Sequence, residues 1–325
     1  MTTNLSLLQK ADLAISDLQA TGGELQPEEA ATFIRKLIKT PKLIRQCRVV
    51  EMTASKRKIN KIGFASRILR KATSATALTQ AQRSKPTTEQ IELDTKEQIA
   101  EVRLPYDVLE DNIERAMAAN NEASTTGPGG LRQTLIELIA ERAATDLEEL
   151  AINGDTDYVN GGDQDDEDYL SQVDGWLKNG EENGNVADVS NATISKAVFK
   201  MGLKALPVQY QRNLAAMHHF VSVNNETEYR DTLADRGTAL GDQMTTGRSP
   251  AFAYGSPVDG VHWMPEPRGI FTNPLNLIFG IQRQVSMEFD KDITARVYII
   301  VLTCRVDFKI EEAEALTVYE NIASA

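Results

Sequence analysis

Three histidines are the side chains of this 325-residue chain best suited to proton transfer or metal binding at neutral pH: His218, His219 and His262. His218 and His219 are adjacent in sequence. Successive side chains of a strand point to opposite faces of a sheet, so these two cannot both face one metal ion. We therefore expect one packed and one exposed histidine near the start of a strand.

An acidic run offers the oxygen ligands that calcium prefers. It contains Asp155, Asp157, Asp163, Asp165 and Asp166. A calcium-binding EF-hand loop needs oxygen ligands at positions 1, 3 and 5, glycine at 6 and glutamate at 12. Counted from Asp155, position 5 is Val159 and position 12 is Asp166, so the pattern fails. We interpret the run as a solvated acidic loop with at most weak cation binding.

Motifs for catalysis or cofactor binding are missing from the sequence. Gly127-Pro-Gly-Gly130 lacks the Gly-Lys-Ser/Thr of a phosphate-binding loop and the spacing of a dinucleotide fingerprint, so we interpret it as a turn before a helix. No Gly-x-Ser-x-Gly, His-Glu-x-x-His or Cys/His pairing occurs. We expect no enzyme activity, no catalytic or metal-binding residues and no cofactor.

Charge is distributed unevenly, although the net charge is only −12. Residues 35–85 hold 15 Lys or Arg and one acid, Glu51, whereas residues 155–188 hold 11 acids and one base, Lys178. The basic segment could neutralise many phosphates, but Phe64 is its one aromatic residue, so platforms for base stacking are missing. We favour a contact between the basic segment of one copy and the acidic patch of another, over nucleic-acid binding or a solvated face.

The residues expected at this inter-subunit contact carry opposite charges on the two segments. They are Lys56, Arg57, Lys58, Lys61, Arg67, Arg70 and Lys71 on the basic side, and Asp163, Asp165, Asp166, Glu167 and Asp168 on the acidic side. An exposed ion pair contributes only about 0–1 kcal/mol. Such a contact would therefore need many repeats to hold an assembly together.

Composition narrows the class of protein. With 41% apolar and 25% charged residues, the chain has an ordinary globular composition. Its longest apolar run is six residues, 297–302, far below the roughly 20 of a membrane helix, and its N-terminus lacks the pattern of a secretory signal. The two cysteines, Cys47 and Cys304, lie far apart, which favours a reducing compartment. We expect no membrane partner.

Hydrophobic periodicity predicts a long helix and a β-excursion. An apolar stripe from Leu131 to Ala151 predicts a helix about 30 Å long, which Asn153-Gly154 would end in left-handed geometry. Residues 48–101 are predicted to form a two-stranded excursion with a weakly structured tip, which needs a partner surface because an isolated hairpin is marginally stable.

The other expected elements are two helices in 1–45, a helix at 105–117, a loop over 155–189, helices at 192–206 and 229–240, and strands at 220–223, 261–264, 275–289, 295–309 (after a turn at 290–292) and 316–319.

The order of these features resembles the HK97-like major capsid proteins of tailed bacteriophages, a fold shared with bacterial encapsulin shells. The resemblance rests on the exit of the excursion (91–112), the helix ending Asp146-Leu-Glu-Glu-Leu-Ala-Ile-Asn-Gly-Asp155, the step Leu206-Pro207, the strand 220–223 and the closing segment 304–316. It implies an α+β fold with an N-terminal arm (1–46), an extended loop or E-loop (47–100), a peripheral domain with a long spine helix (101–190 and 275–310) and an axial domain (191–274 and 311–325).

The resemblance also implies a function. We expect a major capsid protein that self-assembles into hexamers and pentamers of an icosahedral phage head, with double-stranded DNA on its inner face. The sequence lacks the family's N-terminal scaffolding domain, so either a separate scaffolding protein assists assembly or that part was removed before maturation. A separate scaffolding protein and a portal are the expected partners. Assembly would occur in the host cytoplasm, and the product would be the virion. The alternatives are an encapsulin-type compartment and a nucleic-acid-binding protein that uses residues 35–85.

Overall fold

The computed structural model describes residues 41–63, 68–69, 71, 79–80, 83–105, 131–159, 164–235 and 250–324. The helices within these ranges are α1 (Leu131–Asn153), α2 (Gln164–Leu170), α3 (Trp176–Asn183), α4 (Lys196–Ala205) and α5 (Val223–Ala234). The strands are β1 (Arg48–Glu51), β2 (Lys56–Gly63), β3 (Thr87–Asp94), β4 (Lys96–Pro105), β5 (Asn185–Asp188), β6 (His218–Ser222), β7 (Ala251–Ala253), β8 (Ser256–Val261), β9 (Gly269–Thr272), β10 (Leu277–Asp292), β11 (Val297–Ile310) and β12 (Thr317–Glu320). The predicted α+β class is confirmed.

The strands form three sheets. The first has the order β1-β10-β11-β4 and is built on the long antiparallel pair β10 and β11, whose register runs from Leu277 opposite Ile310 to Asp292 opposite Val297. The second has six strands in the order β5-β12-β9-β6-β8-β7. The third consists of β2 and β3 alone, which we call the ribbon. The strands β1 and β4, which flank the ribbon in sequence, both belong to the first sheet.

A first hydrophobic core joins the long helix to both large sheets. Leu150 of α1 and Trp176 of α3 are fully buried there, together with Phe308 of β11. The six-stranded sheet contributes one face to this core, including Phe220 and Val318. Because side chains alternate along a strand, the residues beside these two point to the other face of the same sheet.

A second core covers that other face. His219 and Tyr319 lie there beneath α4 and α5, and the ring of Phe199 on α4 packs edge-on against Tyr229 on α5. The imidazole of His219 stacks on Phe271 at 4.1 Å between ring centroids, and the Tyr319 hydroxyl lies 2.9 Å from its Nδ1. The six-stranded sheet is therefore packed on both faces.

The end of α1 differs from the predicted left-handed cap. Among the described glycines, positive φ occurs at Gly255 (φ 92°) and not at Gly154. Gly154 is instead required for close backbone packing, because a Cβ there would lie 2.6 Å from the Leu150 carbonyl oxygen and would also collide with that of Val173. The Gly175 N–H donates to the Gly154 carbonyl at 2.7 Å, which fixes the end of α1 against the start of α3.

The predicted loop over 155–189 was wrong, since this segment contains α2, α3 and β5. The helix α3 has only eight residues and would be marginal by itself. It is stabilised by burial of Trp176, Leu177 and Gly180, the last of which lies against Leu316 and Val318 of the six-stranded sheet region. Its many Gly, Asn and acidic residues concealed this tertiary contribution.

Other predicted elements are present with shifted limits. The helix expected at 192–206 is α4, the strand at 220–223 is β6, and α5 begins six residues before the expected 229. The turn between the long strands lies at 293–296 instead of 290–292. The strand predicted at 261–264 was wrong, because β8 ends at Val261 and the chain turns there, with the Met264 N–H donating to the Val261 carbonyl oxygen at 3.4 Å. Strand β1 was not predicted. Residues 1–40 and 106–130, on which two predicted helical regions and the Gly127–Gly130 turn fall, lie outside the described residues.

The predicted two-stranded excursion is confirmed in its central part, because β2 and β3 pair along their full length from Lys56 opposite Asp94 to Gly63 opposite Thr87. Most of its expected tip falls outside the described residues. The division into arm, loop, peripheral domain and axial domain stays a prediction. No helix among the described residues is both long and apolar enough to span a membrane.

The buried histidine generates a prediction about acid stability. Burial lowers the pKa of His219 to about 3, so the folded state excludes a proton that the unfolded chain binds below its usual value of about 6.5. The free energy of unfolding is therefore unaffected by this proton above about pH 6.5, and it falls by about 1.4 kcal/mol per pH unit as the pH drops from 6.5 toward 3. Urea unfolding of unassembled subunits between pH 7 and 4 should therefore show a shallower acid loss for His219→Gln than for wild type. The half-buried neighbour provides the control His218→Gln, and parallel stability curves for wild type and His219→Gln would contradict the assignment.

Candidate functional site

The ribbon is the first part of the candidate contact surface, and its base is packed on the body of the chain while most of its other residues are exposed. Leu93 is fully buried in a small cluster with Val50, Met52 and Ile278, against which Ile59 also packs. These residues come from β1, from Met52 directly after it, from β10 and from the ribbon itself. The ribbon thus has the partner surface that a two-stranded sheet requires.

A buried carboxylate holds the root of the ribbon. Asp307 on β11 is 2% exposed, and its Oδ2 accepts the Asp94 N–H at 2.7 Å while its Oδ1 accepts the Phe308 N–H at 2.8 Å. Burial raises the pKa of Asp307 to about 6. Beside it, the Thr95 N–H donates to the Ser55 carbonyl oxygen at 3.0 Å, which closes the base of the ribbon.

The lysines predicted for an inter-subunit contact have partners within the chain. The cross-strand register places Lys56 opposite Asp94, Lys58 opposite Glu92 and Lys61 opposite Glu89. The ion pairs follow this register: Lys56–Asp94 at 3.2 Å, Lys58–Glu92 at 3.5 Å and Lys61–Glu89 at 3.5 Å. The hydrogen bond from Lys56 holds the pKa of Asp94 below its ordinary value. Opposite charges facing each other across two strands stabilise the pairing.

The ribbon is therefore far less basic than the linear sequence suggests. Its two strands carry four bases (Lys56, Arg57, Lys58 and Lys61) and three acids (Glu89, Glu92 and Asp94). The basic segment 35–85 ends just before β3, the strand that carries these acids. The Arg57 guanidinium donates to the Glu51 carbonyl oxygen, and Lys61 also pairs with Glu312 beyond the end of β11. Lys71 is exposed, whereas Arg67 and Arg70 lie outside the described residues.

The acidic patch is also largely engaged within the chain. The Lys178 ammonium lies 3.2 Å from carboxylate oxygens of both Asp155 and Asp157, and these hydrogen bonds raise its pKa. The Asp174 carboxylate accepts hydrogen bonds from the N–H and hydroxyl of Thr156. Glu181 pairs with Arg268 at 2.7 Å.

Helix α2 presents the remaining acidic surface. Asp165, Asp166 and Asp168 are exposed and Glu167 is half-buried, while Asp163 lies outside the described residues. Three of these acids occupy the first turn, where the helix dipole stabilises negative charge. The partners of the ribbon lysines are on β3 and at Glu312, so the structure does not bring the ribbon and α2 together within one chain.

The histidines behave as expected of adjacent strand residues. His219 is buried, whereas His218 is half-buried and its Nδ1 lies 2.6 Å from Asp259 Oδ2. Within the described ranges, no three His, Cys, Asp or Glu side chains come together as metal ligands would. The third histidine, His262, packs against Trp263.

Sequence reasoning missed a second buried carboxylate, at the root of the N-terminal arm. Glu148 of α1 is 2% exposed, and its Oε1 accepts the backbone N–H groups of Lys42 at 2.6 Å, Leu43 at 2.5 Å and Ile44 at 3.4 Å. A signal for it exists in the sequence, because Glu148 interrupts the apolar stripe of α1 between Leu147 and Ala151. A charge on the buried face of a helix needs a specific partner.

Known proteins with a related sequence or fold are capsid and shell proteins. No protein-family model matches the chain. The prophage capsid protein YqbE of Bacillus subtilis strain 168 is 38% identical to it, over 96% of this chain and 97% of that protein.

Solved structures share the fold at low sequence identity. The capsid of an empty GTA particle gives a TM-score of 0.61 at 15% identity, covering 96% of this chain and 98% of its own. The Mycobacterium phage Cain structure gives 0.58 at 13% identity, covering 97% and 99%. The SrpI encapsulin of Synechococcus elongatus PCC 7942 gives 0.54 at 11% identity, covering 96% and 97%.

These likenesses extend over nearly the whole chain, and they agree with its element order. The long helix α1 and the ribbon correspond to the spine helix and the extended loop that the resemblance to phage capsid proteins implied. The sequence relative favours a phage capsid over an encapsulin shell, because its identity is far above that of the encapsulin. The chain belongs to the HK97-like family of phage major capsid proteins, and its role is a structural one in the virion.

Proposed function

We propose that this capsid protein builds an icosahedral head by self-association into hexamers and pentamers, with double-stranded DNA on the inner face. A separate scaffolding protein and a portal would take part, and assembly would occur in the host cytoplasm. The observation that supports this proposal best is the ribbon. Its root is fixed on the body by Asp307 and Leu93, and 23 residues, 64–86, join its two strands. We propose that this connection contacts a neighbouring subunit.

We further propose that the predicted charged residues contribute to contacts between copies. The ribbon lysines Lys56 and Lys58 keep about 60% of their side chains exposed, at 62% and 59%, despite their in-chain ion pairs. Such exposed pairs are worth about 0–1 kcal/mol each, so a lysine can exchange its partner for an acid of another copy at little cost. The exposed acids of α2 are the proposed partners, and the repetition of the contact over a closed shell supplies the total strength.

Electron microscopy of the purified protein tests the proposed assembly. Closed, roughly spherical particles that protect double-stranded DNA from nuclease are the expected result when the protein is purified from a phage-producing host. Particles that enclose a protein cargo instead would favour the encapsulin alternative. A sample of monomers under all assembly conditions would contradict self-association.

A shortened ribbon should separate folding from assembly. Gly63 and Thr87 are directly opposite in the pairing register, so Asn-Gly in place of residues 64–86 would close the ribbon with a two-residue hairpin turn. We expect this variant to keep the circular dichroism and thermal unfolding of the wild-type subunit and to form no closed particles. A control variant that reverses the order of residues 72–78 keeps the length and composition of the connection. Particles of normal size and yield from the shortened chain would refute the assembly role of residues 64–86.

The salt dependence of the affinity for DNA distinguishes a capsid protein from a dedicated nucleic-acid-binding protein. If all 15 bases of residues 35–85 neutralised phosphates, the logarithm of the DNA affinity would fall with the logarithm of the salt concentration at a slope of about −13. Because acids of β3 pair with the ribbon lysines, we expect weak binding by unassembled subunits, a slope of only about −1 to −4 and no sequence preference. Fluorescence anisotropy with a labelled duplex between 50 and 300 mM salt measures this slope. A slope steeper than about −8 would favour the nucleic-acid-binding alternative.

A further inference from the structure

We propose that Glu148 is a positioning residue for assembly: it fixes the place and direction in which the N-terminal arm leaves the body of the subunit. This inference rests on the proposed function, self-association of the subunit into a shell, and adds that the N-terminal arm contacts neighbouring subunits. It assigns to one side chain of α1 a role in forming the shell that differs from a role in folding the subunit.

The first support is the hydrogen-bond geometry at the root of the arm. Three consecutive backbone N–H groups, those of residues 42–44, point at the single oxygen Oε1 of Glu148. This arrangement requires a turn, and the Leu43 carbonyl oxygen closes that turn by accepting the N–H groups of Gln46 and Cys47 at 3.0 and 3.2 Å. Successive N–H groups that converge in this way form an anion-binding concavity. The anion here is the Glu148 carboxylate of α1.

The second support is burial. Glu148 is 2% exposed, and Leu43, whose N–H it accepts, is fully buried in the first core. Because a carboxylate without water must be satisfied by hydrogen bonds, any displacement of residues 42–44 would leave a buried charge without its donors. The arm root therefore has one strongly favoured position instead of a range of similar ones.

The third support is that the same root is tied to the six-stranded sheet. The Lys42 ammonium donates to the Gly260 carbonyl oxygen at 3.0 Å and lies 3.7 Å from Asp259 Oδ1. Asp259 in turn faces His218 on the neighbouring strand β6. Contacts with α1 on one side and with β8 on the other set a direction for the chain as it reaches residue 41, in addition to a position.

The role is one of positioning because the described hydrogen bonds of the Glu148 carboxylate all go to the arm root. The end of α1 is held independently by burial of Leu147, Leu150 and Ile152. Loss of the charge should therefore release residues 42–44 while the helix and both cores remain packed.

Hydrogen exchange on the full-length unassembled subunit tests this inference together with particle formation. In Glu148→Gln, which keeps the shape of the side chain but removes its charge, we expect exchange at the amides of residues 42–44 to accelerate about tenfold or more. Exchange in α1 and β6 should be unchanged, and the yield of closed particles should fall at least several-fold. The matched control is Glu149→Gln on the same helix, because the Glu149 carboxylate accepts none of the described backbone N–H groups; it should leave both readouts at the wild-type level.

Three results would overturn the inference: unchanged exchange at residues 42–44, accelerated exchange throughout α1 and β6, or particles of normal yield from Glu148→Gln. The variant Glu148→Ala, which removes the oxygen altogether, should show a larger local effect than Glu148→Gln. If Glu148→Ala does not fold, the isosteric variant still decides. Failure of the wild-type protein to form particles would refute the proposed function but leave the exchange comparison able to test the anchor.

Discussion

A carboxylate buried away from water that accepts backbone N–H groups is the interaction on which the positions of two segments of this subunit depend. It occurs twice, at Glu148 and at Asp307. Each carboxylate lies on an element of the body and accepts hydrogen bonds from the last residues of a segment that returns to it, the arm at residue 42 and the ribbon at Asp94. A misplaced root leaves a buried charge unsatisfied, so two segments with little apolar mass of their own obtain defined starting directions.

The body can supply such anchors because its two cores are rigidly connected. The six-stranded sheet is buried on both faces, with Phe220 and Val318 facing the core of α1 and α3 while His219 and Tyr319 face α4 and α5. The positions of α1 and α3 on one face and of α4 and α5 on the other are therefore linked through this sheet. Because burial disfavours the charged form, the imidazole of His219 is neutral and packs against Phe271 as an aromatic ring.

Charge has a different part in this molecule from the one its linear distribution suggests. The lysines of β2 face the acids of β3, and Lys178 faces the acids that follow α1, so part of the contrast between the basic and the acidic segment is neutralised among the described residues of each region. What remains exposed is a set of weak, exchangeable ion pairs and the acidic surface of α2. Weak contacts of this kind suit a shell, in which strength comes from repetition and errors must be reversible during assembly.

The sequence alone determined the elements whose signals are local. The 3.6-residue stripe from Leu131 to Ala151 predicted α1, the β-branched runs predicted β10 and β11, and the order of elements predicted the capsid fold. Tertiary structure alone decided the rest: helix α3 exists because Trp176 is buried, the ribbon is nearly neutral because its register sets Lys56 opposite Asp94, and Glu148 is an anchor because Lys42, 106 positions away, folds back onto it. Periodicity reports which face of an element is apolar, but a partner for a charge is chosen by strand register and by contacts between distant segments, and neither is visible in local pattern.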